Sequence, residues 1–402
     1  MFNNLIKLKT NQRTNQIAAL VIFLFFTVYY FIILYLRVST DIQPHAAVAY
    51  SFAVNDDKLT PNFLYFVLVA LLSGFSNYYP LYYGASILLL AGAITAKFLL
   101  NNGYLNKYAL LGDNKLLSFI LSFAMLFVFA LPGLNFFEVK DFYLGQLAPN
   151  VWHNSTVIFL MPFAMLLFFK SYELLVLSKT AKNKNLLVQV GVLIVINVLI
   201  KPSFLFTLLP SVFIFFVYNK LFSQGSSNRF AHLLPYIFGL LFIAVEYYII
   251  YRLGYTSSVT STQGETSKVI VAPFKVWQHF SSNIVIAIIT SLFFPLVYLA
   301  VSKGQVLKNK IVQFAVLNFV IGLSIWILFA EEGVRMFHGN FFWQVVVTCY
   351  LLFFSLLLHF AEDIKLNKIN YKKQLIIGAA FLLHFIWGAF YWLKIIIFNG
   401  YS

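Results

Sequence analysis

Long uncharged apolar runs recur from one end of this chain to the other. Each is near the ~20 residues that an α-helix needs to cross a bilayer. They fall at 17–36, 80–100, 116–134, 156–177, 186–200, 203–219, 231–251, 281–301, 311–330, 341–360 and 374–397. A soluble domain has roughly 45–50% apolar and about 25% charged residues; this chain has 61% and 10%. The runs are continuous rather than alternating, which excludes a transmembrane barrel. The expectation is an all-α, polytopic transmembrane protein of about eleven spans, forming one integral-membrane domain over residues 1–402.

Residues 61–75 (PNFLYFVLVALLSGF) are too short for a comfortable span and read as a re-entrant or interfacial segment. Charge supports that choice. With the N-terminus inside and 61–75 not crossing, most of the 28 lysines and arginines, Lys97 among them, fall in inner connectors, as the positive-inside rule expects. If 61–75 crossed, every later connector would invert. The net charge of +15 therefore follows from membrane orientation, and no basic stripe on a soluble domain points to nucleic acid. The run ending at Leu36 meets Arg37 without a small-residue cleavage site, so it reads as a retained helix. The lone cysteine, Cys349, excludes an internal disulfide.

This topology gathers the polar motifs on the outer side, in segments 37–61, 132–155, 252–280 and 331–340. In the first, Asp41 follows Ser39 and Thr40 and is placed to cap a short amphipathic helix over 41–54. Pro44 suits a first turn, and Asp41 and His45 lie on one helix face. A carboxylate at a low-dielectric boundary suits a general base, or a metal ligand with His45. Asp56 and Asp57 follow in the same loop.

GQLAPNVWHNSTVIFLMPF (145–163) reads as an aromatic-belt turn with Trp152 at the interface, or as a polar cluster in which His153 and Asn154 bind a sugar or phosphate. Asn154-Ser155-Thr156 matches a glycosylation acceptor but abuts a span. Lys201 stands at the Lys201-Pro202 break between two runs, where it could snorkel or pair with a phosphate. AEEGVRMFHGNFFWQ (330–344) carries Glu332, Arg335, His338 and Asn340 between two spans. Arg335 is a planar cation suited to phosphate, and Asn340 could cap the following helix. Glu246 is a carboxylate inside an apolar run, within reach of Arg252. The 253–280 segment is Ser/Thr-rich and reads as a lid or acceptor loop. No Walker loop, GxGxxG, HExxH or GxSxG is present, so no nucleotide cofactor is expected.

A first spanning helix, then an outer loop with an early aspartate and a Pro-led amphipathic segment, resembles the GT-C superfamily of integral-membrane glycosyltransferases. The motifs carrying the resemblance are "DI..H" at Asp41–His45, "NVWHN" at 150–154 and "GVR..HGNF.W" at 333–343. The resemblance implies a polyprenyl-phosphate-linked sugar as donor and a glycan, lipid or protein acceptor. It implies work on the outer face of a bacterial inner membrane, in cell-surface glycan assembly, with inversion at the anomeric carbon. Asp41 would be the base, with His45 orienting it or sharing a divalent metal ion. Arg335, His338 and Lys201 would bind the donor phosphate; Trp152, His153, Asn154, Glu332 and Asn340 would line the substrate site. A polysaccharide polymerase or ligase, or a transporter or flippase for lipid-linked sugars, is the alternative.

Overall fold

The computed structural model describes residues 12–109, 114–133, 142–177, 184–222, 230–253 and 268–398. Parts of the polar segments (134–141 and 254–267), and the stretches 1–11, 178–183 and 223–229, which carry basic residues, lie outside the described residues. What is described is almost all helix. The helices in order are α1 Gln12–Tyr35, α2 Ile42–Val54, α3 Leu64–Leu72, α4 Pro80–Tyr108, α5 Lys115–Phe127, α6 Phe142–Gly145 and α7 Ser155–Tyr172. Then come α8 Lys184–Ile200, α9 Leu205–Phe222, α10 Leu234–Tyr251, α11 Lys275–Phe280, α12 Ile284–Ser291 and α13 Phe293–Val301. The last three are α14 Lys310–Leu328, α15 Trp343–Lys365 and α16 Tyr371–Ile397. Strands β1 Val269–Val271 and β2 Phe329–Glu331 pair antiparallel, with Val269 opposite Glu331.

Among the described residues, eight helices are long and apolar enough to cross a membrane, and the α12–α13 pair, bent by 68°, makes a ninth. α5 and α8 are shorter apolar helices. α3, nine residues long, reaches only about 13 Å at ~1.5 Å per residue, less than half of the ~30 Å hydrocarbon core. α15 is the packed centre: nearly all of its residues from Trp343 to Phe360 are buried, whereas α1 and α10 leave apolar faces exposed to lipid.

The feature that positions the site is a polar node where helices are interrupted inside the bundle. α5 ends at Phe127, beside Phe26 in the middle of α1. An interrupted helix frees backbone groups that lipid cannot satisfy, and distant residues satisfy them here. The His384 ring nitrogens of α16 contact the Phe129 carbonyl (2.7 Å) and the Phe294 N–H (3.2 Å). The backbone N–H sets the tautomer: Nε2 accepts and Nδ1 donates. Leu131 N–H donates to the Thr290 carbonyl at the α12–α13 bend. Ser291 accepts from Leu147 N–H (2.9 Å) and donates to Gln146 (2.9 Å). Asn150 donates to the carbonyls of Met125 (3.1 Å) and Val128 (2.7 Å). Gly388 allows the closest approach, since a Cβ there would sit 1.7 Å from the Phe127 carbonyl oxygen.

Three expectations are corrected here. The helix after Asp41 exists but is not amphipathic: only Pro44 is exposed, and Ile42, Ala46, Val48 and Ala49 are buried. α2 is wedged against α3 and α4 rather than floated at an interface. Lys97, first assigned to an inner connector, lies within α4, only 7% exposed. The 145–155 segment is not an aromatic-belt turn: Trp152 is fully buried and Gln146, Asn150, His153 and Asn154 are buried with it.

Candidate functional site

Asp41 occupies the N-cap position of α2, but its side chain makes no capping hydrogen bond. Thr40 Oγ1 receives the Ile42 N–H instead (3.1 Å). The carboxylate turns the other way and accepts from Asn154 Nδ2 at 2.6 Å. Asn154 caps α7 with its carbonyl oxygen, which takes the Val157 N–H (3.0 Å) and the Thr156 hydroxyl (2.9 Å). Thr156 Oγ1 in turn accepts from Lys201 Nζ at 3.3 Å. One relay therefore joins Asp41 to Lys201 through Asn154 and Thr156, laid across the N-terminal end of an 18-residue helix. That end carries partial positive charge.

Lys201 reaches the relay because Pro202 follows it. A residue before proline is pushed to extended backbone, and Lys201 has φ −171° and ψ 120°. Its ammonium also lies 5.4 Å from the centre of the Trp343 ring. His153 packs against the same ring (5.8 Å) and against Trp152 (5.3 Å), and its carbonyl accepts the Asp41 N–H (3.1 Å). His45, one turn into α2, meets Ser155 Oγ through Nδ1 at 2.5 Å and packs on Phe66.

Burial sets the charges. It pushes His45 down to about 4, against the pull of Asp41 and helped by Lys201 and His153. His153 is lowered to about 4 by burial, again opposed by Asp41. Lys201 is lowered to about 8 by burial, with Asp41 holding it up. At neutral pH the cluster thus holds two neutral imidazoles and one ammonium close to its titration point. Such a cluster, with a partly buried carboxylate, can take a proton from a hydroxyl and hold an anion beside it.

Arg335 belongs to a neighbouring group. Its Nε is 3.5 Å from Glu331 Oε2, and its side chain is 41% exposed. The Asn340 amide donates to the same oxygen. Asn340 does not cap α15; Phe342 holds that position. The buried carboxylate is therefore Glu331, 6% exposed, and not Glu332, which is exposed and uses its backbone N–H on Lys268 (2.8 Å). His338 is exposed at the end of the same turn. The Asn340–Phe342 turn leads into Trp343, so this group and the Asp41 cluster adjoin along the chain. Nearby, Phe337 stacks on His279 of α11 at 4.0 Å.

Glu246 is buried on α10 and makes no ion pair with Arg252 among the described residues; its Oε2 has no hydrogen-bond partner there. No group of three or more His, Cys, Asp or Glu side chains gathers among the described residues. Asp41 and His45 would supply at most two ligands to a divalent ion.

Ser155, Thr156 and Trp343 entered the sequence reading only inside motifs, with no role of their own, and Glu331 was not singled out. Neither was Lys97. It donates to Asn150 Oδ1 at 2.7 Å and lies 4.7 Å over the Tyr350 ring. A water-sized cavity of about 10 Å³ adjoins it, lined also by Val151 and Trp392. The signal was there: a lysine well inside a membrane helix marks function or a structural lock. No protein-family model matches the chain, and a search of curated proteins finds no match.

Proposed function

We propose that this protein is a membrane glycosyltransferase of GT-C type. It moves a sugar from a polyprenyl-phosphate-linked donor to an acceptor hydroxyl on the outer face of the membrane. Nine candidate spans plus α5 and α8 are in keeping with eleven crossings, and the lysine-rich connectors favour an outward-facing Asp41 cluster. The observation that carries the reading is the carboxylate of Asp41. It is turned away from its own helix, held by Asn154 and joined by a relay to a lysine cation.

In this reaction Asp41 takes the proton of the acceptor hydroxyl. The hydroxyl oxygen attacks the anomeric carbon, and the bond to the phosphate oxygen breaks. The lipid phosphate leaves with the electron pair and the carbon inverts. Lys201 neutralises the leaving phosphate, with Arg335 as a second cation. Neutral His45 and His153 present uncharged polar edges to the sugar, and Trp343 offers it an apolar face. The phosphate travels with its lipid, so no nucleotide loop is needed.

The test is transfer by the purified protein in lipid nanodiscs, using labelled polyprenyl-phosphate sugars and analysing the products. Asp41→Asn is expected to lower turnover by about 10²–10⁴-fold, the usual worth of a general base. Wild-type turnover in that variant would remove Asp41 from the role.

One observation favours a second reading. Interrupted helices meeting inside the bundle, α5 and α12–α13, are common in transporters. A flippase for lipid-linked sugars would move labelled lipid across proteoliposomes without changing it covalently.

A further inference from the structure

Lys97 carries its charge deep in the bundle. Eleven residues separate it from Tyr108 at the nearer end of α4, about 16 Å at ~1.5 Å per residue. That is half of the ~30 Å hydrocarbon core, too deep for a lysine to snorkel to an interface. Buried charges are normally paired, yet Lys97 makes no ion pair among the described residues. An ammonium has three N–H donors. One goes to Asn150 Oδ1 (2.7 Å), and the charge lies 4.7 Å from the centre of the Tyr350 ring. One oxygen and one ring face do not occupy three donors.

The cavity beside Lys97 measures about 10 Å³. One water needs roughly that volume and two to four polar partners. Lys97 and Asn150 line the cavity, and so does Trp392 of α16. The Trp392 indole nitrogen is buried with no hydrogen-bond partner among the described residues. A buried donor left over in this way calls for an acceptor. The rest of the wall is apolar, with side chains such as Leu126 and Val346. Chemistry then selects the occupant. Asn150 meets Lys97 with its oxygen, because its amide N–H groups are spent on the Met125 and Val128 carbonyls. An anion would find only two donors and would face that oxygen. A water can accept from both donors and donate to the oxygen in return.

We propose that this cavity is a binding site for one resident water. The water accepts from the Lys97 ammonium and the Trp392 indole and donates to Asn150 Oδ1. It links α4 to α16 and completes the solvation of a charge that protein groups alone leave short of acceptors. Trp392 is also held from α1, where Tyr29 donates to its carbonyl (3.2 Å), so the water closes a three-helix contact. No residue of the Asp41 cluster lines the cavity, and the site stands whether or not transfer occurs there.

X-ray radiolytic footprinting of the purified full chain in lipid nanodiscs tests this, with side-chain oxidation read by mass spectrometry. Radicals formed from a bound water mark the side chains that touch it. Trp392 and Met161 line the cavity and are each only 3% exposed; both are expected to be oxidised. Trp277 is fully buried with its indole N–H on the Gly145 carbonyl (3.2 Å) and is expected to stay unmodified. Phe385 shares a lipid-facing hollow with Trp392 but does not line this cavity; it should also stay unmodified, which excludes access from the lipid side. Lys97→Met is expected to abolish oxidation at Trp392 and Met161. Where that variant does not fold, the wild-type pattern alone decides. Unmodified Trp392 and Met161 in the wild type, or unchanged oxidation in folded Lys97→Met, would overturn the proposal. So would a melting temperature that rises with chloride at constant ionic strength, which would make the occupant an anion.

Discussion

Asn154 Nδ2 lies 2.6 Å from Asp41 Oδ2, joining the start of α2 to the start of α7 across 113 residues of chain. The same amide caps α7 with its oxygen, so one side chain fixes a helix end and aims a carboxylate. The two duties separate by substitution. Asn154→Asp keeps a capping oxygen but sets a like charge against Asp41; Asn154→Ala loses both. Transfer should fall at least tenfold in both. Melting should drop clearly only in Asn154→Ala, by the ~1 kcal/mol typical of a lost cap. Parallel turnover and thermal-melt measurements check this.

Acid should unfold the site before the rest of the bundle. His45 and His153 are held near 4 by burial, below their ordinary 6.5. Between those values the unfolded chain binds more protons, so stability is fully present above pH 6.5 and is lost as pH falls towards 4. Each imidazole contributes on the order of a few kcal/mol over that window. Melting temperature measured from pH 7.5 down to 4.5 should fall, and the fall should shrink in the His45→Gln/His153→Gln double variant.

Lys201 responds at the other end of the scale. Its ammonium loses its proton near pH 8 in the fold, against 10.5 in the open chain. The charge proposed to bind phosphate is therefore present below that value and lost above it. Donor KM should rise through pH 8 while kcat changes less. Lys201→Arg, which stays charged, should remove that inflection.

Arg335 is braced by Glu331, which also takes the Asn340 amide. Arg335→Ala should raise donor KM about tenfold, the worth of a charge-assisted contact of about 1.5 kcal/mol. Glu331→Gln keeps the shape and should raise it less, whereas Glu332→Gln should do little. KM measurements on the three variants rank the two carboxylates directly.

Inside the bundle, Asn150 serves Lys97, Met125 and Val128 together. Asn150→Ala leaves three buried groups unpaired, at about 1–3 kcal/mol each. It should cost more stability than Lys97→Met, which removes a buried charge and leaves one acceptor open. Thermal melting of both variants in detergent decides the order.

Much of the architecture was legible in the sequence because a membrane rewards apolar length and connectors reward lysine. The Asp41–His45 spacing, the break at Lys201-Pro202 and the polar residues before α7 could all be read locally. What they bond to could not. Asp41 looked like a cap because capping is local, and its partner lies 113 residues away. Glu331 and Glu332 are indistinguishable in sequence, and strand pairing, which sends neighbours to opposite faces, decides which one is buried. The run 116–134 carries no mark at Phe127, because the residues that receive the freed backbone lie on α12 and α16. Lys97 was counted with the connector lysines, since composition alone does not report depth.

The early stop of α5 also bears on how the chain is made. Phe129 and Leu131 hydrogen-bond to His384 and Thr290, which leave the ribosome more than 150 residues later. Until those helices arrive, the third apolar run has no settled seat in lipid and must wait beside the insertion machinery or in a provisional pose. Biogenesis is thereby coupled from the first third of the chain to α16, and a chain cut before α16 would strand its own early segment.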